Sequence, residues 1–197
     1  MNQLREFTYI TQLNDGRIMK AAITALLSCV CFCTVVSLAQ DAPVSEAAPV
    51  IETSPAFDRL KNLIGDWKGE MRRSTGEVIN LKLSYKVVSN GSVIIEDAVE
   101  DDVEMITTYT DRFGKLTATH YCALGNQPMF NLSSMTASTL DFDFDPRCGL
   151  KEGEHKYVKD WKIIHDPKKP DVLVTEYVLI NEDKSLETSV ATLKKVK

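Results

Sequence analysis

From Trp67 to the C-terminus the sequence is a series of short runs that alternate apolar and polar residues, each ended by Gly, Asn, Asp or Pro. An alternation with a period of two lays one set of side chains on each face of an extended strand, and no helical face collects it. Ten strands are expected, at Trp67–Arg73, Val78–Val88, Val93–Glu100, Glu104–Thr110, Leu116–Cys122, Met129–Ala137, Thr139–Asp145, Tyr157–His165, Val172–Asn181 and Leu186–Val196. Ser89-Asn90-Gly91-Ser92 suits a tight hairpin, and Asp111-Arg112-Phe113-Gly114 a longer one with Gly in a left-handed position. Consecutive strands joined by such turns form an antiparallel meander, and an open meander would expose an unpaired edge at each end. Closure removes both edges. The predicted fold class is all-β, an antiparallel up-and-down β-barrel of about ten strands.

One short N-terminal helix precedes the strands. Ser54-Pro55 supplies an N-cap and a proline at the first helical position, Phe57, Leu60, Leu63 and Ile64 share an apolar face, and Gly65 ends the run. A helix this short is unstable alone in water, so it is expected to plug or flank the barrel. Residues 40–53, rich in Ala, Pro, Glu and Val without a period, read as a flexible linker, and the folded domain as 54–197. Ala21 to Ala39 carries no charged side chain, follows Lys20, and closes on Ser37-Leu38-Ala39. That layout predicts a secretory signal peptide over 1–39, with Gln40 as the first mature residue. Glu6 and Asp15 are out of place in a positive n-region and point to Met19 as the translational start. The same uncharged run is close to the ~20 residues that span a bilayer, so an uncleaved membrane anchor is the alternative.

The whole chain has a net charge of −5. Without residues 1–39 it keeps 20 basic and 26 acidic side chains, with no basic stripe of the kind that neutralises phosphates. Nucleic acid is excluded as an expected partner. Export also removes Cys29, Cys31 and Cys33 and leaves Cys122 and Cys148, either as one disulfide or as two separate thiols.

The residues able to do chemistry gather in Leu116–Met129, where His, Tyr, Cys, Asn, Gln and Met occur together. Alternation puts His120 and Cys122 on the strand face of Leu116 and Ala118, opposite Thr117, Thr119 and Tyr121. On the preceding strand Met105, Thr107 and Tyr109 alternate with Ile106, Thr108 and Thr110, and either set can be interior. If Met105, Tyr109, His120 and Cys122 converge, they line an apolar cavity with a few polar handles, with Asn126 and Gln127 at its mouth. The competing reading is a solid core filled by the same side chains. His120 and Cys122 are spaced like two metal ligands, with His155 or Cys148 to complete a set, but a zinc site needs about three or four ligands and none is assigned. A lone His identifies no haem either, and the cofactor is unknown. Asp141, Asp143, Asp145 and Glu152 match the acidic spacing of a calcium loop, yet Pro146 stands where that loop needs a glycine turn. The run reads as a strand with a solvated acidic face and with Phe142 and Phe144 toward the core. No catalytic residue is assigned, since no nucleophile-base-acid order or phosphate loop is present.

Three stretches together resemble a known family: Leu63-Ile-Gly-Asp-Trp-Lys-Gly69, Gly91-Ser-Val-Ile-Ile-Glu96 with Glu104-Met-Ile-Thr107, and Thr119-His-Tyr-Cys-Ala-Leu-Gly-Asn-Gln-Pro-Met129. They are similar to an uncharacterised family of bacterial exported, lipocalin-like (calycin-type) β-barrels with a Thr-His-Tyr-Cys-x-x-Gly-Asn-Gln-Pro signature. The likeness covers residues 57–197. It implies a lipocalin-like barrel, a periplasmic or secreted location and a structural Trp67 at the barrel floor, but no reaction. Asp66, Ile106 and Met129 replace the family's Thr, Val and Arg. If that Arg neutralises an anionic ligand in relatives, its loss here implies a neutral ligand or none.

The functional expectation is an exported barrel, more in keeping with a binding protein than an enzyme, that takes a small hydrophobic or amphipathic ligand in its interior. Its contacts would be Met105, Tyr109, His120, Cys122, Asn126 and Gln127. The alternatives are a hydrolase-like or thiol enzyme using His120 or Cys122, and a structural or interaction module of the cell envelope. The membrane enters only through the N-terminal segment, if uncleaved.

Overall fold

The computed structural model describes residues 49–197; the expected signal segment and most of the linker lie outside the described residues. Residues 49–53 are irregular. Among the described residues one α-helix, α1 (Pro55–Leu60), continues as a turn of 3-10 helix at Lys61–Leu63, and ten strands follow. These are β1 (Gly65–Arg73), β2 (Val78–Val88), β3 (Val93–Glu100), β4 (Val103–Arg112), β5 (Lys115–Tyr121), β6 (Met129–Met135), β7 (Thr139–Asp145), β8 (Tyr157–Ile164), β9 (Val172–Ile180) and β10 (Leu186–Lys195). Each strand pairs antiparallel with its sequence neighbours, and β1 pairs with β10 to close the barrel. The expected all-β, up-and-down architecture with one short helix is thus the observed one.

The alternation of the sequence resolves into an inside and an outside. Leu116, Ala118 and His120 of β5 are buried, as are Met105, Thr107 and Tyr109 of β4, whereas Ile106 and Tyr121 are exposed. The two sets are matched in register, with Tyr109 opposite Ala118 and Thr107 opposite His120. Bulges between Leu132 and Ser134 and between Val158 and Asp160 interrupt the ladders of β6 with β7 and β8 with β9. An extra residue there raises the local twist and bends the strand, which helps a closed sheet turn through its curvature.

The helix seals one end. Ser54 Oγ accepts from Phe57 N–H at 3.3 Å as the N-cap, Pro55 follows, and the Ser54 N–H donates to the Asp111 carboxylate at the end of β4. Phe57, Leu60 and Leu63 are fully buried, each worth roughly 1.5–3 kcal/mol of apolar burial. Arg59 donates to the carbonyls of Thr136 and Ala137, so the outer face of the helix is fastened to the turn between β6 and β7. Beneath the plug Trp67 is wholly buried, its indole N–H donating to Leu63 O at 2.7 Å and its ring edge-on to His165 at 5.9 Å.

Of the two readings open for the cysteines, the disulfide is not the one found: Cys122 and Cys148 are both free thiols. Cys122 leaves the end of β5 and Cys148 sits in the turn after β7, with β6 between them. Two inter-strand steps of about 4.8 Å exceed the ~7 Å that a disulfide can bridge. The acidic face of β7 is also less open than expected. Asp145 is buried, covered by Asn131, whose Nδ2 donates to it at 3.0 Å, and by the Arg147 guanidinium. Phe142 is in the core as expected, while Phe144 is only half-buried against Tyr157.

Closure depends on a close approach at Gly69, where a Cβ would lie 2.0 Å from the Thr192 carbonyl oxygen of β10. Backbone atoms cannot turn aside as a flexible side chain can, so Gly69→Ala must push β1 away from β10. The expected cost is about 1–3 kcal/mol in urea unfolding. An unchanged midpoint would show that the seam is not tight.

Candidate functional site

Alternate hairpins place the turns β1–β2, β3–β4, β5–β6, β7–β8 and β9–β10 at the end opposite the helix. A cavity of about 180 Å³ opens there. Its apolar wall includes Leu81, Leu83, Ala98, Met105 and Val158, and its aromatic wall is Trp161 with Tyr177, stacked at 5.9 Å and 28°. Among the polar side chains that reach it are Glu96, His120, Thr175 and Ser189, all buried. The barrel interior is therefore neither a uniform apolar core nor solid throughout.

The residues expected at the site divide into two groups. Met105, His120 and Cys122 border the cavity. Tyr109 stands behind the wall, wholly buried, with its hydroxyl donating to Glu96 Oε2 at 2.7 Å. Asn126 and Gln127 do not border it. Asn126 holds the β5–β6 loop: its carbonyl accepts from Cys122 N–H at 3.0 Å, and its Nδ2 donates to Lys156 O at 2.8 Å, tying this loop to the next one along the rim. Gln127 is exposed. Turn geometry accounts for this, since Gly125 reverses the chain immediately after Cys122 and turns the following side chains away from the lumen.

Sequence reasoning missed Glu96, Trp161 and Tyr177. Glu96 is inward with Ile94 and Ala98, but both faces of its strand mix apolar and acidic residues, so alternation could not assign it. Trp161 and Tyr177 lie on β8 and β9, far in sequence from the motif, and only barrel closure brings them opposite it. His120 and Trp161 then meet at 5.2 Å between ring centres.

A polar cluster runs across β3, β4 and β5 at one level, because Glu96 is the register partner of Thr107 and Thr107 of His120. Thr107 Oγ1 lies 3.4 Å from Glu96 Oε1 and 3.0 Å from His120 Nδ1. The Tyr85 hydroxyl neighbours the same carboxyl without a hydrogen bond of normal geometry. Burial pushes the Glu96 carboxyl up, and the hydroxyls of Tyr85, Tyr109 and Thr107 pull against it. Burial likewise lifts the Tyr85 and Tyr109 phenols well above their ordinary range, with the Glu96 charge adding to it. Burial lowers His120 to about 4, so its imidazole is neutral at physiological pH. Burial pushes the Cys122 thiol up, the reverse of an activated nucleophile.

The rim is charged but internally compensated. Arg73 pairs with Glu100 at 2.8 Å and with Glu77 at 3.1 Å, and Tyr177 donates to Glu100 at 2.9 Å. Lys156 faces Glu187 at 3.5 Å. Among the described residues no group of three His, Cys, Asp or Glu side chains is placed to hold a metal ion, and His155 accepts instead from Lys151 N–H at 3.2 Å.

His120 gives the site a pH signature. Its value is 6.5 in an unfolded chain and about 4 in the fold, so between these the unfolded state binds more protons. Its contribution is whole above pH 6.5 and is lost as the pH falls toward 4, by at most about 3 kcal/mol. Glu96, with a raised carboxyl, acts in the opposite sense: its contribution is whole below 4.5 and falls as the pH rises. Urea titrations across this window should show a shallower acid-side loss in His120→Gln than in the parent. Parallel curves would mean that His120 is not held neutral.

No family model and no curated protein matches the chain. Among solved structures it is similar to a protein of unknown function from the DUF3598 family of Nostoc punctiforme, at 11% identity and a TM-score of 0.48 over 80% of this chain and 53% of that one. The chain thus spans about half the length of that protein. It is also similar to EF1p2_mFAP2b bound to DFHBI, at 13% identity and a TM-score of 0.38, covering 70% of this chain and 96% of the other. A redesigned β-barrel gives 13% identity and a TM-score of 0.33, covering 70% and 94%. These likenesses are remote, and what the cavity takes is read from this chain's own residues.

Proposed function

We propose that the barrel is a non-enzymatic binding protein for a small, neutral amphipathic molecule of about one or two fused rings, held in the cavity at the loop end. The observation that carries this is the cavity itself: about 180 Å³, walled by apolar and aromatic side chains, in a barrel whose other end is filled. An apolar protein cavity of roughly 150 Å³ stays dry and takes up benzene, which sets the scale of the ligand. Long acyl chains are too large for this volume. Arg73 is paired with Glu100 and Lys156 with Glu187, so these rim charges are matched before a ligand arrives. A raised Cys122 thiol, with no hydrogen bond to His120 among the described residues, favours binding over thiol chemistry.

Export belongs to the same reading and rests on the uncharged run Ala21–Ala39 behind Lys20. Protein recovered from the envelope or medium should begin at Gln40 by N-terminal peptide analysis. A chain retaining residues 21–39 would replace export with anchoring.

The cavity reading is tested by titrating single-ring aromatic compounds while following the Met105 methyl resonance and thermal unfolding. Toluene and indole should shift both in the parent protein. Ala98→Phe, which fills the cavity from the β3 wall, should abolish the response while the barrel stays folded. No response in the parent at millimolar concentrations, or an undiminished response in Ala98→Phe, would overturn it.

A further inference from the structure

Glu96, Thr107 and His120 form a chain in which one proton decides the rest. All three are buried, and consecutive strands hold them side by side as register partners. Thr107 has a single hydroxyl proton and two neighbours, Glu96 Oε1 at 3.4 Å and His120 Nδ1 at 3.0 Å. The groups around the Glu96 carboxyl are the hydroxyls of Tyr85, Tyr109 and Thr107, and Tyr109 donates at 2.7 Å. Burial raises this carboxyl, and Tyr109 and Thr107 donating to it pull the other way, toward the ionised, acceptor-only form. With the carboxyl in that form Thr107 gives its proton to Glu96, and its oxygen accepts the N–H of His120 Nδ1. The opposite edge of the ring, Nε2, is left with a lone pair, and it has no partner among the described residues. His120 borders the cavity, with its ring against Trp161.

We infer that Thr107 and Glu96 fix His120 with its Nε2 lone pair toward the cavity, so that the site selects planar ring compounds carrying a hydrogen-bond donor over isosteres whose heteroatom only accepts. The favoured class is N–H heteroaromatics and phenols. This rests on the reading of the cavity as a ligand site. Glu96, which also borders the cavity, adds acceptor oxygens to the same wall. Thr175 and Ser189 reach the cavity from β9 and β10. Their hydroxyls donate or accept equally and do not discriminate, whereas the Trp161 indole N–H, buried on the same wall without a partner among the described residues, is a donor that competes with the His120 lone pair.

Indole and benzofuran share a ring skeleton and differ in that one presents an N–H and the other a bare oxygen. Their binding is measured by methyl NMR, and the His120 tautomer by nitrogen NMR of protein labelled at histidine. The parent should show a protonated Nδ1, a bare Nε2, and an indole preference of about tenfold, the value of one net hydrogen bond. Thr107→Val keeps the side-chain shape, removes the relay and should erase the preference. In Glu96→Gln, Tyr109 holds the carboxamide oxygen and the amide N–H₂ faces Thr107. The relay then runs backwards, Nε2 becomes protonated, and benzofuran becomes the better ligand.

A protonated Nε2 in the parent overturns the inference whether or not Glu96→Gln folds. So does equal binding of the two probes. Binding without preference leaves the cavity reading standing and removes only the relay. Failure of both probes to bind removes the cavity reading as well, and with it the selectivity.

Discussion

Antiparallel pairing of Gly65–Arg73 with Leu186–Lys195 joins the two ends of the strand-forming chain, and everything else in the molecule follows from that seam. Once it forms, no strand of the barrel keeps an unpaired edge, and the backbone donors and acceptors of the ladder are satisfied without a second sheet. A closed sheet also encloses a fixed volume that side chains, a plug or a ligand must occupy. Gly69 is the residue that lets the seam close, because its missing side chain leaves room for the Thr192 carbonyl.

The enclosed volume is filled unevenly, and the unevenness has a cause. At the helix end Phe57, Leu60, Leu63 and Trp67 pack as large apolar side chains with the one indole N–H satisfied by Leu63 O. Toward the loop end small and polar residues take inward positions: Ala98 on β3, Thr107 on β4, Thr175 on β9, and Ser189 with Ala191 on β10. Small side chains leave space, and polar ones need partners to offset the loss of water. Glu96, Tyr109, Thr107 and His120 supply one another with those partners, so the cavity wall is ordered before any ligand arrives. Buried polar residues that only filled a core would be replaceable by apolar ones of similar volume at little cost. Here they stand beside a void, where their hydrogen-bonding capacity can be used by something else.

Much of the fold was legible because it rests on local rules. Period-two alternation marked every strand, Ser54-Pro55 marked the helix start, and Gly91, Gly114 and Gly125 adopt the positive φ that their turns require. The site was legible only in part. His120 and Cys122 could be put on the face of Leu116 and Ala118, whose apolar character identifies the interior. Glu96 could not be placed, since Val93, Ile95 and Val99 are as apolar as Ile94 and Ala98. Asn126 and Gln127 were expected at the cavity from their nearness in sequence to Cys122, and one tight turn at Gly125 was enough to aim them elsewhere.

By itself the sequence determined that the chain makes strands, how many, where they turn, and that a short apolar helix must find a partner. These are properties of neighbouring residues, set by backbone sterics and by the spacing of apolar side chains. Only the tertiary structure decided which face of β3 and β4 looks inward, which residues of β8 and β9 confront His120, and that Cys122 and Cys148 stay apart. Those outcomes depend on register and closure. Shifting a strand by one residue exchanges its two faces, and joining β1 to β10 brings together side chains that no local rule relates.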